Sequence, residues 1–427
     1  MSRLSLSDAD KEVRDWFVET TKALGCNVTI DAMGNTFAIR PGTRDDGPPT
    51  FAGSHLDTQP SGGRYDGILG VTAAVEMLKV LSENWVTTEY PVGVVNWTNE
   101  EGARFPISMV SSGVWAGKIP LDHAHNLQEV GGGTATMKSE LERIGYLGPV
   151  SASHTAVPMA AHFELHIEQG PILETEKRKV GIVKGVQAYR WYTIEVTGRD
   201  THTGTTPFSA RSDALMAASK MILHSNRVAT KFNALASTGI LTLTPGSTNT
   251  VPGSVKFSLD IRAPADATVE AVEAEIKDSF ALIASGAYVG DLDDGCTPGR
   301  PCTVNIKTDS VSEAVSFHED CIRCISDSAA SLFGSETPKL TKAMVSGAGH
   351  DSVFTSNICP TGMIFVPCRD GVSHNPAEYS SPEDCAIGAQ VLLGAVLRYD
   401  RLRKRSDEKL DEEQPADYKE YYRSNIG

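Results

Sequence analysis

Apolar and polar residues alternate along the chain in segments that predict strands and helices in turn. NVTIDAMGNTFAIR predicts a hairpin that turns at Gly34-Asn35, and PTFAGSHLD, PVGVVNWT and AAHFELHIE are short apolar runs typical of buried strands. Between PTFAGSHLD and PVGVVNWT a helix is predicted over 66–85, because its apolar positions recur on one face: Ile68, Val71, Val75, Leu78 and Leu81. This alternation indicates an α/β domain.

The pattern changes near residue 188. AYRWYTIEVTGR, ASTGILTLTP and SVKFSLDIRAP predict strands, with a helix over 207–228 and another that begins near Ala265. This β-α-β-β-α unit indicates a separate α+β, ferredoxin-like domain. The α/β pattern then resumes with a helix over 314–333, a strand at TGMIFVP and a last helix over 382–403. We therefore predict a central mixed sheet flanked by helices in residues 1–187 and 311–427, interrupted by an inserted domain in 188–310.

Length and charge narrow the classes of function. A chain of 427 residues is long for one core, so two domains are expected. Its net charge of -15 disfavours nucleic-acid binding, because the surface repels phosphate groups. No segment approaches the roughly 20 apolar residues of a membrane span, and the start MSRLSLSDADKEVRDWF lacks the apolar core of a signal peptide. We therefore expect a cytoplasmic protein that binds neither nucleic acid nor membrane.

The eight cysteines are scattered and favour reduced thiols over a disulfide framework. Cys321 and Cys324 form a CxxC without a second ligand pair at suitable spacing, so a structural zinc site is disfavoured. We interpret them as two small residues on one helix. Cys296 and Cys302, in the loop DDGCTPGRPC, receive the same structural interpretation.

Histidines and carboxylates follow the predicted strands, at the ends where open α/β sheets place their sites. His55 and Asp57 are two apart on one strand and face the same way, so the Asp57 carboxylate is expected to hydrogen-bond the His55 imidazole. Asp66 opens the next helix, and Glu100-Glu101 ends the next strand. Adjacent carboxylates can divide their roles, one binding metal while the other takes a proton from water.

His166 lies on the polar face of AAHFELHIE, and His374 lies in a loop before the last helix. Each feature alone has an ordinary explanation: a chance HxD, a solvated acidic loop, a surface histidine, an exposed loop histidine. Their common position just beyond buried strands favours a metal site of histidines and carboxylates.

Six motifs, in order, carry a family resemblance: GSHLDTQPSGGRYDGILGV, NEEGARF, HFELHIEQGPILE, THTGTTP, SGAGHDS and GVSHNPAEY. They resemble the β-alanine synthase (β-ureidopropionase) and N-carbamoyl-L-amino-acid hydrolase family, part of the metal-dependent aminoacylase and carboxypeptidase superfamily. The resemblance runs from about residue 5 to 401, and the wording is most similar to the fungal β-alanine synthases. Members of this family usually carry a further segment before RLSLSDADKEVR, which implies a late or truncated start for this sequence.

The resemblance implies two divalent metal ions per subunit, with zinc expected and manganese, cobalt or nickel as alternatives. One ion would be held by His55, Asp66 and His166, and the other by Asp66, Glu101 and His374. Other roles are also implied: Glu100 as general base and then acid, Asp57 to orient His55, and His202 to stabilise the oxyanion across a homodimer formed by the inserted domain, which would also act as a lid. Substrate contacts are implied for a further group: Gln169, Asn249, Arg262, Gly349 and His350.

The implied substrate is N-carbamoyl-β-alanine, cleaved to β-alanine, CO2 and NH3 as in reductive pyrimidine degradation. Sibling activities toward N-carbamoyl-L-α-amino acids or allantoate share every named residue and stay open. The motifs HIEQGP and SGAGHDS disfavour a peptidase or deacylase. The intact set of implied ligands disfavours a non-catalytic binding protein. For Arg262, which suits a substrate carboxylate, an ion pair with Asp260 is the structural alternative.

Overall fold

The computed structural model describes residues 1–44, 47–287 and 299–413. The chain divides into two compact units. The first unit comprises Met1–Gly185 and Ser316–Gly427, and the second unit comprises Val186–Val315. In chain order, the elements before the second unit are α1 (Asp8–Ala23), β1 (Asn27–Ile30), β2 (Thr36–Arg40), β3 (Thr50–His55), α2 (Ile68–Glu83), β4 (Val92–Trp97), α3 (Val110–Trp115), α4 (Leu121–His125), α5 (Met137–Ile144), β5 (Ala161–Ile167), α6 (Ile172–Thr175) and β6 (Val180–Val186).

The remaining elements follow in the same order. In the second unit these are β7 (Ala188–Thr197), β8 (Thr201–His202), a 3-10 turn (Phe208–Ala210), α7 (Ala214–Lys231), β9 (Leu235–Ser237), β10 (Leu241–Thr244), β11 (Thr250–Val251), β12 (Ser254–Ala263), α8 (Asp266–Ser285) and β13 (Thr303–Ser312). The chain continues with β14 (Val315–Ser316), α9 (Glu319–Phe333), a 3-10 turn (Gly334–Glu336), α10 (Thr337–Leu340), β15 (Thr341–Ser346), α11 (Ser352–Thr355), β16 (Thr361–Val366), a 3-10 turn (Arg369–Gly371) and α12 (Pro382–Glu413).

The sheet of the first unit has the order β1-β2-β4-β3-β5-β16-β6-β14, and β15 also pairs with β6. Strands β4, β3, β5 and β16 run parallel to one another. At the two sides of this parallel group, β2 pairs with β4 and β6 pairs with β16 in antiparallel direction. The sheet is therefore mixed, and the predicted fold class is confirmed. The carboxyl ends of the four parallel strands meet at one edge, which is where such sheets place binding sites.

Both faces of this sheet are covered, which explains why its strands are almost continuously apolar. On β3, Ala52 packs in one core together with α2, α9 and α12, and the adjacent Phe51 packs in another with Trp97 and Trp115. The polar residues of β5 are buried as well, since every position of that strand is inaccessible. The ordinary alternative for His166, a surface histidine, is therefore not supported, because the second face of the sheet is covered too.

The second unit has its own sheet, with the order β10-β12-β7-β13 and with β9 also paired to β12. As predicted, β12 alternates: Val255, Phe257, Leu259 and Ile261 are buried, and so is the last residue, Ala263. The predicted strand ASTGILTLTP is divided into β9 and β10. β13 was not predicted, because its residues alternate only between exposed and half-buried positions and few of them are apolar.

The helix predicted over 207–228 begins later and ends later than expected. Pro207 precedes only one 3-10 turn, and α7 starts at Ala214 because the Asp213 side chain accepts hydrogen bonds from the backbone N–H groups of Leu215 and Met216. A carboxylate already occupies the start of this helix.

Two helix boundaries of the first unit also differ from the prediction. α9 starts at Glu319 instead of residue 314, because 315–316 pair as β14 and His318 caps the helix through Nδ1. Its Cys321 and Cys324 are buried on one helix, as predicted; Cys302 is half-buried, and Cys296 lies outside the described residues. α12 continues to Glu413, beyond the predicted end at residue 403, and the rest of the charged tail lies outside the described residues. None of the helices in the described ranges combines the length and the apolar character of a membrane span.

Burial of His162 on β5 predicts an acid-sensitive fold. Its imidazole is fully buried beside Trp97, Ser352 and Thr355, and burial lowers its pKa to about 4, although Glu164 opposes this. The ring is thus neutral in the folded state but takes a proton in the unfolded chain below pH ~6.5. This contribution to stability is present above pH ~6.5 and is lost as the pH falls toward 4.

When the pH is lowered from 7.5 to 5, the unfolding free energy of the wild type should fall by about 2 kcal/mol more than that of His162→Gln. Urea unfolding at both pH values, with a chelator present so that metal binding does not contribute, measures this difference. His123→Gln, at an exposed position, is the matched control and should retain the wild-type pH dependence. An unchanged pH dependence in His162→Gln would refute the prediction.

Candidate metal centre

The four parallel strands bring the predicted site residues to one edge of the sheet. His55 ends β3, Glu100 and Glu101 follow β4, and His166 is the penultimate residue of β5. The loop that carries His374 comes after β16. Residues that are far apart in sequence are thus adjacent because their strands are neighbours in parallel pairing.

The first group joins His55, Asp66 and His166, whose candidate ligand atoms lie within 4.8 Å of one another. Asp66 Oδ1 is 3.5 Å from His55 Nε2 and 3.1 Å from His166 Nε2. His55 Nδ1 lies 2.9 Å from the carbonyl oxygen of Asp57, and His166 Nδ1 lies 2.8 Å from that of Ile167. A carbonyl can only accept, so in the neutral rings each Nδ1 carries the proton and each Nε2 has its lone pair on the side of the group. The lone pair of His166 Nε2 also accepts the backbone N–H of Gly67, at 3.2 Å.

The second group joins Asp66, Glu101 and His374. His374 Nε2 is 3.4 Å from Asp66 Oδ2 and 3.3 Å from Glu101 Oε2. The side chain of His374 is 49% exposed, whereas those of Glu101 and Asp66 are 4% and 7% exposed. The two groups share Asp66 through its two different oxygens, which is the arrangement of a bridging carboxylate.

The donor set fits a pair of divalent cations. His55 Nε2 is fully buried and has no hydrogen-bond partner, so a lone pair is left for another ligand. Within the described ranges, no lysine or arginine forms an ion pair with Asp66, Glu100 or Glu101, although these carboxylates are crowded together. Buried anionic charge of this kind is stabilised by metal binding, and a mixed set of imidazoles and carboxylates suits zinc-class ions.

Glu100 lies beside the first group and is 7% exposed. Its Oε2 is 3.5 Å from His55 Nε2. Burial raises the pKa of Glu100 well above its ordinary value; His55 opposes this, and the like charges of Asp351, Glu101 and Asp66 add to it. A carboxyl group with raised proton affinity beside a metal group is suited to accept and return a proton.

Asp57 contacts the site differently from the prediction. The carboxylate is expected to accept a hydrogen bond from His55, but the backbone carbonyl of Asp57 accepts it instead, and the carboxylate lies 4.0 Å from Nδ1. The carboxylate instead accepts from the backbone N–H groups of Glu100 and Glu101, each at 3.3 Å. Asp57 therefore positions both carboxylates that follow β4 as well as the imidazole.

Unusual backbone conformations concentrate around these residues. Asn99, Gln169 and His374 have left-handed backbone, with φ of 60°, 58° and 54°. Such conformations are costly for non-glycine residues and cluster at functional sites. Gly67 has a φ of 67°, and a Cβ there would lie 2.3 Å from the His55 ring, so only glycine lets the chain pass over this imidazole.

Gln169, predicted to contact substrate, is half-buried against the second metal group. Its Nε2 donates to Asp66 Oδ2 at 2.8 Å and to Ser373 Oγ at 3.2 Å. Its Oε1 is buried without a hydrogen-bond partner among the described residues. The amide therefore lies at the candidate metal ligands and still has an unused acceptor.

His350 and Gly349 also lie in the first unit. The His350 ring is buried, with its centroid 4.6 Å from that of His166, and Ser346 Oγ lies 3.1 Å from its Nε2. Burial and the neighbouring His166 lower the pKa of His350 to about 3, so this ring is neutral at physiological pH. A Cβ at Gly349 would approach Met109 to 2.9 Å.

His202, Asn249 and Arg262 lie in the second unit. His202 is exposed on β8, where its register partner on β11 is Thr250, the residue after Asn249. Arg262 on β12 forms a two-pronged ion pair with Asp260, at 3.0 Å from Nε and 2.9 Å from NH2. The structural alternative considered for Arg262 is thus present, and a substrate carboxylate would have to share this guanidinium with Asp260.

Sequence reasoning did not single out two buried carboxyl groups behind the site. Glu164 lies with His166 and His350 in a third cluster, but its two oxygens already accept hydrogen bonds from Ser54 and Ser352, at 2.7 and 2.6 Å. Asp351 is buried; its Oδ1 accepts a hydrogen bond from Ser112 Oγ in α3, and its Oδ2 has no hydrogen-bond partner in the described part of the chain. An acidic residue inside an apolar strand was the available signal for Glu164.

The chain is similar to known proteins over nearly its whole length. Residues 51–398 match the family described as peptidase family M20/M25/M40. The chain is similar to the N-carbamoyl-L-amino-acid amidohydrolase of Rhizobium meliloti, with 38% identity over 398 residues that cover 93% of this chain and 90% of that protein. It is also 32% identical to a ureidoglycolate hydrolase of Arabidopsis thaliana, over 92% of this chain and 80% of that protein.

A solved structure has the same fold. The crystal structure of an amidase of the hydantoinase/carbamoylase family from Burkholderia multivorans matches with a TM-score of 0.84 and 41% identity. The match covers 93% of this chain and 92% of the Burkholderia chain, so both units take part in it.

Proposed function

This chain belongs to peptidase family M20/M25/M40, and on that premise we propose that it is a dinuclear-metal amidohydrolase that removes the carbamoyl group from N-carbamoyl-L-α-amino acids. The family resemblance seen in the sequence motifs is confirmed by the relatives. One observation carries the proposal: two groups of candidate metal ligands share Asp66, and the buried carboxyl group of Glu100 lies beside them.

The proposed reaction adds water to the ureido carbon and breaks its bond to the amino-acid nitrogen. Bound divalent ions would supply Lewis acidity, which polarises a carbonyl group and makes water more acidic. Glu100 takes a proton from the attacking water and returns it to the leaving nitrogen, so the products are the free amino acid and carbamic acid, which decomposes to CO2 and NH3. Asp57 holds the backbone at Glu100 and Glu101, so the base and the ligand keep their separate roles.

The relatives support an α-amino-acid substrate better than N-carbamoyl-β-alanine. The sequence motifs alone favour the β-alanine derivative as substrate, but the Rhizobium relative is named for N-carbamoyl-L-amino acids. The residues of the metal centre are common to both activities, so they do not discriminate. The preference rests on pocket shape, because N-carbamoyl-β-alanine has one more methylene between the ureido nitrogen and the carboxylate. A methylene that the pocket does not fit changes the free energy of binding in the transition state by about 1–3 kcal/mol.

A turnover panel tests the substrate class. We expect kcat/KM for N-carbamoyl-L-α-amino acids to exceed that for N-carbamoyl-β-alanine by about 10- to 200-fold, the range that one methylene provides. Ammonia release by the wild-type chain measures both, with N-carbamoyl-D-amino acids as the stereochemical control. A higher kcat/KM for N-carbamoyl-β-alanine would restore the first interpretation of the sequence and overturn this one.

A second candidate substrate is ureidoglycolate, favoured by the Arabidopsis relative. It carries the same ureido group next to a carboxylate, with a hydroxyl in place of a side chain, so it belongs in the same panel together with allantoate. The identity of the metal, the homodimer, and the substrate roles of His202, Asn249 and Arg262 stay predictions from the family resemblance.

A further inference from the structure

Glu378 joins two segments of the metal centre that are more than 300 residues apart in sequence. Its side chain is buried, at 3% exposure. Its Oε1 accepts hydrogen bonds from the backbone N–H groups of Tyr65, at 2.8 Å, and Asp66, at 3.1 Å. Oε2 lies 3.1 Å from Ser373 Oγ, and the same hydroxyl lies 2.6 Å from Asp66 Oδ2. One carboxylate thus contacts the turn that carries Asp66 and the loop that carries His374.

The fit of this turn around Glu378 is close. A Cβ at Gly63 would lie 2.0 Å from the Glu378 carboxyl group, so the absence of a side chain at position 63 lets the chain pass directly over it. The N-cap residue of α2 is Gly67, which has no side chain to cap the helix. Backbone N–H groups in this turn need acceptors when buried, and Glu378 supplies them at the residue that the two metal groups share.

We propose that Glu378 is a positioning residue for the metal centre: its carboxylate holds the turn that carries Asp66 against the loop that carries His374. The distance from Asp66 Oδ2 to His374 Nε2, 3.4 Å, is set by these two segments. The inference rests on the proposed metal centre but not on the identity of the substrate. Groups that hold metal ligands by hydrogen bonds typically change metal affinity by about 10- to 100-fold when they are removed.

Three substitutions at Glu378 separate the effect of side-chain length from the effect of charge. Glu378→Gln keeps the length of the side chain and an acceptor for both N–H groups, and its NH2 group can donate to Ser373 Oγ. Glu378→Asp keeps the charge but is one methylene too short to reach both segments. Glu378→Ala removes the contact altogether. If hydrogen-bond geometry positions the ligands, the glutamine variant retains function and the aspartate variant does not.

The matched control is Glu168→Ala. Glu168 is also buried and also accepts two backbone N–H groups, those of Ile172 and Leu173, each at 2.8 Å. Both partners lie in α6, which carries none of the proposed ligands. This variant therefore reports the cost of removing a buried carboxylate without disturbing the turn before α2.

Titration of the chelator-treated full chain with Co²⁺, followed by visible absorption, counts the bound ions and measures their affinities without any substrate. We expect two ions in the wild type and a weaker-binding site whose Kd rises about 10- to 100-fold in Glu378→Ala and Glu378→Asp. In Glu378→Gln and Glu168→Ala we expect a change below about threefold. Thermal unfolding of each variant without metal shows that the compared chains are folded.

Unchanged affinity at both sites in Glu378→Asp would overturn the inference, even if Glu378→Ala fails to fold. An equal loss of affinity in Glu168→Ala would overturn it as well, because the effect would then follow from destabilisation alone. A wild type that binds fewer than two ions would remove the proposed function together with this inference. A wild type that binds two ions, with Glu378 variants that do the same at equal affinity, would remove this inference only.

Discussion

Replacing Glu100 by glutamine is expected to lower kcat about 10²- to 10⁴-fold while both metal ions stay bound. Glutamine has the shape of glutamate but cannot take up and return a proton, so the proton transfers at water and at the leaving nitrogen lose their carrier. Glu100 belongs to neither of the two proposed ligand groups, so the metal content should not change. Initial rates and metal content of the same preparation measure the two quantities.

The stability of Glu100→Gln distinguishes a chemical effect from damage to the fold. Burial and the nearby carboxylates raise the pKa of Glu100, so its ionised form is costly in the folded state without metal. We therefore expect the metal-free variant to unfold at the same temperature as the wild type or at a higher one. Glu140→Gln is the control, since Glu140 is buried but pairs with Arg104 and Arg143; it should lose stability and keep kcat. Near-normal kcat in Glu100→Gln would exclude Glu100 as the general base.

Replacing Asp66 by asparagine is expected to abolish the paired site. Asp66 is the residue common to both ligand groups, and it uses a different oxygen for each of them. Asparagine retains one carbonyl oxygen but loses the charge and the second acceptor, so one ion or none should stay bound. Loss of metal assistance is worth several kcal/mol in the transition state, which corresponds to about 10³-fold or more in kcat/KM.

Metal analysis after dialysis, together with rates at saturating added metal, measures the effect of Asp66→Asn. Excess metal should restore little activity, because the bridging position itself is lost. Asp384→Asn is the control: Asp384 is also a buried aspartate of the first unit, and it pairs with Lys179 at 2.8 Å. Two ions bound at wild-type affinity in Asp66→Asn would contradict the role of Asp66 as the bridge.

Most of the secondary structure of the first unit follows from local patterns. Strands β3, β4, β5 and β16 are short apolar runs followed by polar residues, and such runs are recognisable because both of their faces are buried. The predictions failed where the deciding interaction is a single side chain or a pairing partner. The Asp213 side chain caps α7, so this helix starts later than predicted. β13 forms because β7 pairs with it along its length.

The ligand types of the candidate site were visible in the sequence, but some of the contacts were not. His55, Asp66, His166, Glu101 and His374 were named from motifs, and the structure brings them into two adjoining groups. The role of the Asp57 carboxylate was misjudged, because alternation along a strand does not show that a backbone carbonyl is closer to the imidazole. Glu378 is part of a recognised motif, yet two of its partners, Tyr65 and Asp66, lie over 300 residues away.

By itself, the sequence determined the fold class, the family and the kinds of side chain available at the ends of the parallel strands, because burial patterns and ligand chemistry are local properties. Three features depend on the folded chain: which oxygen of Asp66 faces which histidine, which nitrogen of each imidazole is left for a ligand, and which carboxylate contacts the segments of both Asp66 and His374. Those outcomes depend on strand order and on contacts between distant segments. A shared hydrogen bond is a property of two segments, and it has no signal in either one alone.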